Sequence, residues 1–280
     1  MEPMCILVTI DENYLSPFRV MLTSIFANNH GEKMSIWMFH RCIPETAINT
    51  LRGFCENNGT VLYPVKVAES LFENAQVSNR YPQEIYYRLL APILLPDRLE
   101  RILYLDPDIL VINPLRPLWN LDMRDYLFAA AAHTQKTDLA NSVNRIRLKT
   151  ENDYFNSGVL LINLKSGRKE IDAHDIHEYV EEHKNELFLP DQDILNALYG
   201  NRILELDDAV WNFDARKFAN YFLRSAGQMN MDWVMQNTAI LHFCGSAKPW
   251  KPLYRHRFGV LYKHYMQLST RFLPLSPEVK

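Results

Sequence analysis

The segment that most constrains the fold is a short apolar run that ends at two aspartates. Residues 101–111 read R-I-L-Y-L-D-P-D-I-L-V, so that Asp106 and Asp108 flank Pro107 directly after four apolar residues. Such a run predicts a strand buried in a parallel sheet. The carboxyl end of such a strand is where open α/β sheets bind their ligands. Proline fixes its own φ and favours an extended conformation at Asp106, which makes the pair stiff.

The two carboxylates admit two interpretations. Burying two like charges close together is unfavourable unless a cation compensates them, and hard oxygen ligands suit Mg²⁺ or Mn²⁺. Aspartates are also common in turns, where their side chains only cap the following loop. The rest of the chain has to decide between a metal site and a capped loop.

Composition and charge narrow the class of protein. A chain of 280 residues that is 48% hydrophobic can bury one large core, which predicts a single main domain. The net charge of −3 argues against a nucleic-acid partner. No C-x-x-C pair occurs, so reduced thiols are expected. With no signal peptide or stretch of transmembrane length in the sequence, a cytoplasmic protein is the expectation.

The first 70 residues alternate between strand and helix patterns. Strands are predicted at Met4–Ile10, Met34–His40 and Thr60–Val67, with helices between them. This order predicts parallel strands with right-handed crossovers, hence an α/β fold with a Rossmann-like, mixed or parallel sheet flanked by helices. No G-x-G-x-x-G or Walker loop is present, so phosphates would have to be neutralised by other groups.

The C-terminal segment differs in character. Residues 248–280 contain seven Lys or Arg and one acid, which gives them a net charge of +6. Six aromatic residues are interleaved with these bases: Trp250, Tyr254, Phe258, Tyr262, Tyr265 and Phe272. A helical tail of this composition suits peripheral contact with an anionic membrane surface at the inner face. It equally suits a helix that packs on the domain by its aromatic stripe with a solvated basic face. We assign residues 1–250 to the main domain and 251–280 to the tail.

A second informative segment, residues 240–250, reads I-L-H-F-C-G-S-A-K-P-W. His242 follows an apolar run, as if at another strand end, and an imidazole is a suitable third ligand for Mn²⁺. Gly245 permits close approach of the backbone to a phosphate. Lys248 supplies a point charge suited to a diphosphate.

Four motifs, taken in order, resemble glycosyltransferase family 8. They are L-Y-L-D-P-D-I-L-V, Y-F-N-S-G-V-L-L-I-N-L, D-Q-D-I-L-N and H-F-C-G-S-A-K-P-W, within a similarity that runs from Cys5 to about Lys251. The family includes bacterial lipopolysaccharide galactosyl- and glucosyltransferases. The resemblance implies a GT-A fold and transfer of galactose or glucose from a UDP-hexose, with retention at the anomeric carbon. The acceptor would be a saccharide or a lipid-linked glycan, such as a cell-surface glycan.

The resemblance also implies a role for individual residues. A Mn²⁺ or Mg²⁺ ion would be held by Asp106, Asp108 and His242. Residues in contact with the donor would be Thr9, Asp11, Asn13 and Tyr14 at uracil and ribose, Arg88 at the sugar or phosphate, Gly245 and Lys248 at the diphosphate, and Asn156 in the sugar pocket. Asp191 and Gln192 would be the catalytic pair, with Gln192 nearest the anomeric carbon.

The reaction chemistry fits these roles. Cleavage of a sugar–phosphate bond develops negative charge on UDP, which a metal and Lys248 would stabilise, and positive charge on the sugar. Because the amide of Gln192 is a poor nucleophile, we favour same-face attack by the acceptor over double displacement.

Two other functions remain as alternatives. A D-x-D phosphohydrolase of the haloacid-dehalogenase kind would want Thr or Val two residues after the second Asp, where this chain has Leu110. A non-catalytic module that only binds nucleotide sugars predicts a broken metal triad, whereas all three candidate ligands are present.

Overall fold

The computed structural model describes residues 2–68, 83–132, 144–148, 150–183 and 186–271. Its strands are β1 (Met4–Thr9), β2 (Met34–His40), β3 (Val61–Lys66), β4 (Arg101–Leu105), β5 (Ile109–Val111), β6 (Phe128–Ala131), β7 (Val159–Asn163), β8 (Ile203–Leu206), β9 (Phe213–Asp214) and β10 (Ile240–His242).

Helices cover this framework. They are α1 (Leu15–Asn28), α2 (Glu45–Asn57), α3 (Ala91–Leu94), α4 (Arg116–Trp119), α5 (residues 144–148), α6 (Leu164–Glu170), α7 (Ala173–His183), α8 (Pro190–Tyr199), α9 (Asp208–Trp211), α10 (Phe218–Arg224), α11 (Met231–Asn237) and α12 (Gly259–Arg271). Within the described residues, 3₁₀ helices lie at Glu12–Tyr14, Gln83–Leu90 and Gly200–Arg202. Among the described helices, none is long and apolar enough to cross a membrane.

Seven strands form the central sheet in the order β3-β2-β1-β4-β7-β6-β8. Strands β1 to β4 pair in parallel, as the alternation of strand and helix patterns predicts. Strand β7 runs antiparallel to both of its neighbours, β4 and β6. The sheet is therefore mixed and mainly parallel, and the predicted α/β fold class is confirmed.

The burial of each strand follows its position in the sheet. In central β4, the side chains of residues 102–105 are fully buried, which explains the unbroken apolar run that precedes Asp106. Edge strand β3 instead alternates, with Val61 51% exposed and Leu62 3% exposed. Pro64 is tolerated in β3 because an edge strand need not donate from every backbone N–H.

A second, three-stranded sheet has the order β5-β10-β9. Strand β10 is antiparallel to β5, with His242 opposite Ile109, and parallel to β9, with His242 opposite Asp214. This small sheet joins the D-P-D segment to the His242 segment. The apolar run before His242 predicts a strand end there, but no sequence pattern predicts this sheet.

The C-terminal tail packs on the domain through its aromatic side chains. Phe258 and Tyr262 are 2% and 1% exposed, and they belong to the hydrophobic cluster that also contains Phe243. The hydroxyl of Tyr265 accepts a 2.8 Å hydrogen bond from Nδ2 of Asn28 in α1. The tail bases at positions 251, 255, 257, 263 and 271 are exposed, while Phe272 lies outside the described residues.

Candidate active site

Two carboxylates and an imidazole converge where β4 and β10 end. One ligand atom from each of Asp106, Asp108 and His242 lies within 4.8 Å of the other two. Nε2 of His242 is 3.3 Å from Oδ1 of Asp108 and 3.7 Å from Oδ2 of Asp106. Asp108 and His242 are buried, whereas the side chain of Asp106 is 21% exposed, so the cluster opens to solvent on one side.

Backbone hydrogen bonds hold the cluster together. The N–H of Asp106 donates to the carbonyl of Gly158 over 2.8 Å, and the N–H of Phe243 donates to the carbonyl of Asp108 over 3.0 Å. Gly158 lies directly beneath the cluster. A Cβ at this position would stand 2.6 Å from Oδ2 of Asp106 and closer still to Cε1 of His242. No side chain fits there unless a candidate ligand moves.

Lys248 meets the cluster from the loop after β10. Its Nζ donates to Oδ2 of Asp108 and, over 3.1 Å, to the carbonyl of Phe243. Burial alone would raise the pKa of Asp108, but the ammonium of Lys248 and the imidazole of His242 hold it well below its usual range. Burial alone would likewise lower the pKa of His242, yet Cys244 and Asp108 raise it well above its ordinary value. Both pKa shifts show that the cluster stabilises positive charge.

The cluster fits a divalent cation. Its donor set of two carboxylate oxygens and one imidazole nitrogen suits Mn²⁺, and Mg²⁺ less well. Neighbouring ligands around a six-coordinate ion lie about 3 Å apart, close to the separations of Nε2 of His242 from the two carboxylates. Because Asp108 already attracts a cation in the form of Lys248, positive charge is stabilised at this point.

Arg88 joins the cluster to the D-Q-D segment. It lies in the 3₁₀ helix Gln83–Leu90 and is 5% exposed. Its Nη1 is 2.9 Å from Oδ1 of Asp106, 3.3 Å from Oδ2 of Asp191 and 2.9 Å from the carbonyl of Ser157. Burial alone would lower the pKa of Arg88, but Asp106, Tyr104 and Asp191 raise it, so the guanidinium stays charged.

The D-Q-D segment forms the first turn of α8. Oδ2 of Asp191 accepts a 2.7 Å hydrogen bond from Oγ of Ser157. Burial raises the pKa of Asp191, and Arg88 and Ser157 offset only part of that rise. Gln192 is 7% exposed, and its Oε1 accepts a 3.0 Å hydrogen bond from Nδ2 of Asn156. Asn156 and Gln192 are thus in direct contact, and Asp191 lies beside Gln192 in the same turn.

The predicted uracil and ribose residues lie in and after the end of β1: Thr9, Asp11, Asn13 and Tyr14. Oγ1 of Thr9 is 3.0 Å from the hydroxyl of Tyr104, which donates a 2.6 Å hydrogen bond to Asp106. Asn13 is exposed and donates to Asp11 over 3.2 Å. The loop therefore borders the cluster at the same edge of the sheet.

Gly245, predicted at the diphosphate, is exposed and has a φ of +82°, a conformation that favours glycine. It lies three residues from Lys248 in the same loop. Of the two predicted diphosphate residues, Lys248 contacts the cluster, whereas Gly245 faces the side chain of Arg216.

Three residues of the site carry no role in the sequence analysis. Tyr104 and Ser157 stand inside the quoted motifs, and their patterns suggest only a buried strand and a turn. Asn212 is fully buried and binds Nδ1 of His242 through its Oδ1 over 2.8 Å. Its only signal is a polar residue in the apolar stretch V-W-N-F at positions 210–213.

Comparisons with known proteins agree with the motifs. Residues 5–253 match the model of glycosyl transferase family 8. General stress protein A of Bacillus subtilis is 29% identical over 276 residues, which are 96% of this chain and 94% of that protein. The lipopolysaccharide 1,2-glucosyltransferase of Escherichia coli is 26% identical over 283 residues, 97% of this chain and 80% of that protein.

Solved structures share the fold. The galactosyltransferase LgtC, crystallised with donor and acceptor sugar analogues, superposes with a TM-score of 0.80 over 98% of both chains at 24% identity. The glycosyltransferase GlyE of Streptococcus pneumoniae gives a TM-score of 0.72 at 21% identity, over 98% of this chain and 62% of that one. The fold is thus GT-A-like, as in LgtC, and the chain belongs to glycosyl transferase family 8.

Proposed function

We propose that this protein is a metal-dependent, retaining hexosyltransferase that moves galactose or glucose from a UDP-hexose to a saccharide acceptor. The observation that carries the proposal is the convergence of Asp106, Asp108 and His242 at the carboxyl edge of the sheet. All three candidate ligands belong to the motifs that identify the family, and they come from segments about 130 residues apart.

The diphosphate of the donor is proposed to bind beside this cluster. A bound Mn²⁺ or Mg²⁺ would act as a Lewis acid that stabilises the negative charge on the departing UDP. Lys248 lies next to Asp108, so its ammonium can reach a phosphate that approaches the cluster. Gly245 lies three residues earlier in the same loop and is proposed to offer a backbone contact to the diphosphate. Thr9, Asp11, Asn13 and Tyr14 are the proposed contacts of uracil and ribose.

The sugar is proposed to lie over the first turn of α8. Asn156 holds Oε1 of Gln192, which leaves a fixed amide to face the anomeric carbon. Asp191 is bound to Ser157 and paired with Arg88, so its carboxylate is engaged and poorly placed to be a nucleophile. This arrangement supports same-face attack by the acceptor hydroxyl over double displacement, with Asp191 acting on the developing charge and Arg88 on the donor.

The acceptor is proposed to be a cell-surface glycan. Relatives from Escherichia coli are named lipopolysaccharide glucosyltransferases, which supports a saccharide or lipid-linked acceptor at the cytoplasmic face of a membrane. The exposed Lys and Arg side chains of the tail would bind an anionic membrane surface there.

The triple variant Lys251→Glu, Arg255→Glu, Lys263→Glu should then lose binding to phosphatidylglycerol vesicles, while the control Lys33→Glu, Lys66→Glu, Lys165→Glu keeps it. Equal binding by both variants would exclude the tail contact.

Calorimetric titration of the protein with UDP, with and without Mn²⁺, tests the main proposal. A panel of UDP-sugars is then assayed for slow hydrolysis in the absence of acceptor. We expect Mn²⁺-dependent UDP binding and turnover of one hexose. Asp108→Ala should abolish turnover in a protein that still folds, as far-UV circular dichroism would show, whereas Asp125→Ala, an exposed control, should behave as wild type. No UDP binding in either condition would contradict the proposal. Release of phosphate from UDP would favour a phosphohydrolase, and binding without turnover would favour a non-catalytic module.

A further inference from the structure

A continuous set of hydrogen bonds links His242 to Gln192 through two buried amides. Nδ1 of His242 is 2.8 Å from Oδ1 of Asn212, and Nδ2 of Asn212 donates to Oδ1 of Asn156 over 2.8 Å. Nδ2 of Asn156 in turn donates to Oε1 of Gln192 over 3.0 Å. Asn212 is 0% exposed, so water does not compete for its amide.

The direction of these hydrogen bonds is determined at one backbone group. The N–H of Gly158 donates to Asn156 over 3.0 Å, and because a backbone N–H can only donate, the atom that faces it must be the oxygen Oδ1. That same oxygen faces Asn212, so Asn212 must present its NH₂ group there. The oxygen of Asn212 is then the atom left to face His242.

In the neutral imidazole, which is the form that ligates a metal, this order selects one tautomer. Because Oδ1 of Asn212 can only accept, Nδ1 of His242 must carry the proton. Nε2 then carries a lone pair, and it is the atom that lies 3.3 Å from Asp108 and 3.7 Å from Asp106. A metal-ligating histidine generally depends on such a partner at its other nitrogen.

We propose that Asn212 is a positioning residue that sets both the His242 tautomer and the orientation of the Asn156 amide that holds Gln192. The inference rests on the proposed function, because it takes His242 as a metal ligand and Gln192 as part of the sugar pocket. Asn212 is fully buried, so it acts through His242 and Asn156 rather than by contact with solvent-borne metal or sugar.

Two substitutions separate the two tasks. Asn212→Ala removes both hydrogen bonds, so Mn²⁺ should bind to the protein–UDP complex about 10- to 100-fold more weakly, as for other partners of ligating histidines. Asn212→Asp keeps an acceptor for Nδ1 but cannot donate to Asn156. It should bind Mn²⁺ within about threefold of wild type, while kcat for UDP-hexose hydrolysis falls and KM changes little.

Mn²⁺ affinity is measured by the electron paramagnetic resonance signal of free Mn²⁺ in the presence of UDP, and pulsed measurements report nitrogen coupling from His242. The coupling should persist in Asn212→Asp. Wild-type Mn²⁺ affinity in Asn212→Ala would overturn the inference, as would an Asn212→Asp variant that loses Mn²⁺ as Asn212→Ala is expected to. The Mn²⁺ affinity of Asn212→Asp tests the inference even if Asn212→Ala does not fold. Absence of Mn²⁺–UDP binding in the wild-type protein would instead overturn the proposed function.

Discussion

Nη1 of Arg88 lies 2.9 Å from Oδ1 of Asp106, so the guanidinium neutralises the first aspartate of the D-P-D motif inside the protein. The same nitrogen lies 3.3 Å from Asp191. One buried cation thus bridges two carboxylates that come from separate motifs and belong to the proposed metal and sugar sites.

Arg88→Met should therefore lower the free energy of unfolding by about 3–5 kcal/mol, because it leaves two largely buried carboxylates without their cation. Urea unfolding at neutral pH measures this loss. Lys165→Met is the matched control, since its exposed ammonium, 3.6 Å from Glu100, should contribute less than about 1 kcal/mol. The double variant with Asp191→Asn should recover part of the loss. Equal effects of Arg88→Met and Lys165→Met would contradict this account.

Lys248 is expected to oppose metal binding and to support nucleotide binding. Its ammonium contacts Asp108, so Lys248→Met should raise affinity for Mn²⁺ alone severalfold. The same variant should bind UDP with Mn²⁺ about 10- to 100-fold more weakly, the range of a hydrogen bond to a charged group. Calorimetry with Mn²⁺ alone, then with UDP added, measures both. The exposed Lys251→Met is the control, and changes of equal sign in the two titrations would refute the dual role.

Long uniform patterns made much of the fold predictable from the sequence. The apolar run before Asp106 is continuous because β4 is buried in the centre of the sheet, and the alternation of β1 to β3 with helices predicts parallel pairing. Strands β5 and β9 have three and two residues, too few to show a period. The reversed direction of β7 depends on its neighbours, and no local pattern reports it.

Dependence on contacts distant in sequence also limits what the sequence predicts about the site. Asp106, Asp108 and His242 stand at strand ends or in motifs, where side-chain type and position point to ligands. Asn212 acts through contacts with residues 30 and 56 positions away, which only the folded chain brings together. The family resemblance implies a role for Arg88 at the sugar or phosphate, but no local pattern reports that it lies between Asp106 and Asp191.

Gly158 is predicted to be intolerant of any side chain. Because a Cβ there would stand 2.6 Å from Asp106, Gly158→Ala should displace a candidate ligand, weaken Mn²⁺–UDP binding at least tenfold and destabilise the protein by about 1–3 kcal/mol. Gly53→Ala in α2 is the control, since nothing lies within 4 Å of its Cβ and it should stabilise by about 0.5–1 kcal/mol. Wild-type affinity for Mn²⁺–UDP in Gly158→Ala would show that the close packing beneath the cluster is not needed.

His40, at the end of β2, is predicted to make stability depend on pH. Burial and the nearby Lys66 lower its pKa below the usual 6.5, although Glu45 raises it in part. As pH falls below about 6.5, the unfolded chain takes up a proton that folded His40 resists, so stability is lost down to the folded pKa. Well above pH 6.5, His40 is neutral in both the folded and the unfolded state, so it does not make stability depend on pH there.

His40→Asn removes this linkage while its amide can still accept the N–H of Ile43, which lies 3.3 Å from Nδ1 of His40. The other titrating groups are common to both proteins, so the difference between their unfolding free energies isolates His40. In urea unfolding from pH 7.5 to 5.5, wild type should lose more stability than His40→Asn, and the two curves should diverge only below about pH 6.5. Parallel curves throughout this range would mean that folded His40 accepts a proton as readily as the unfolded chain.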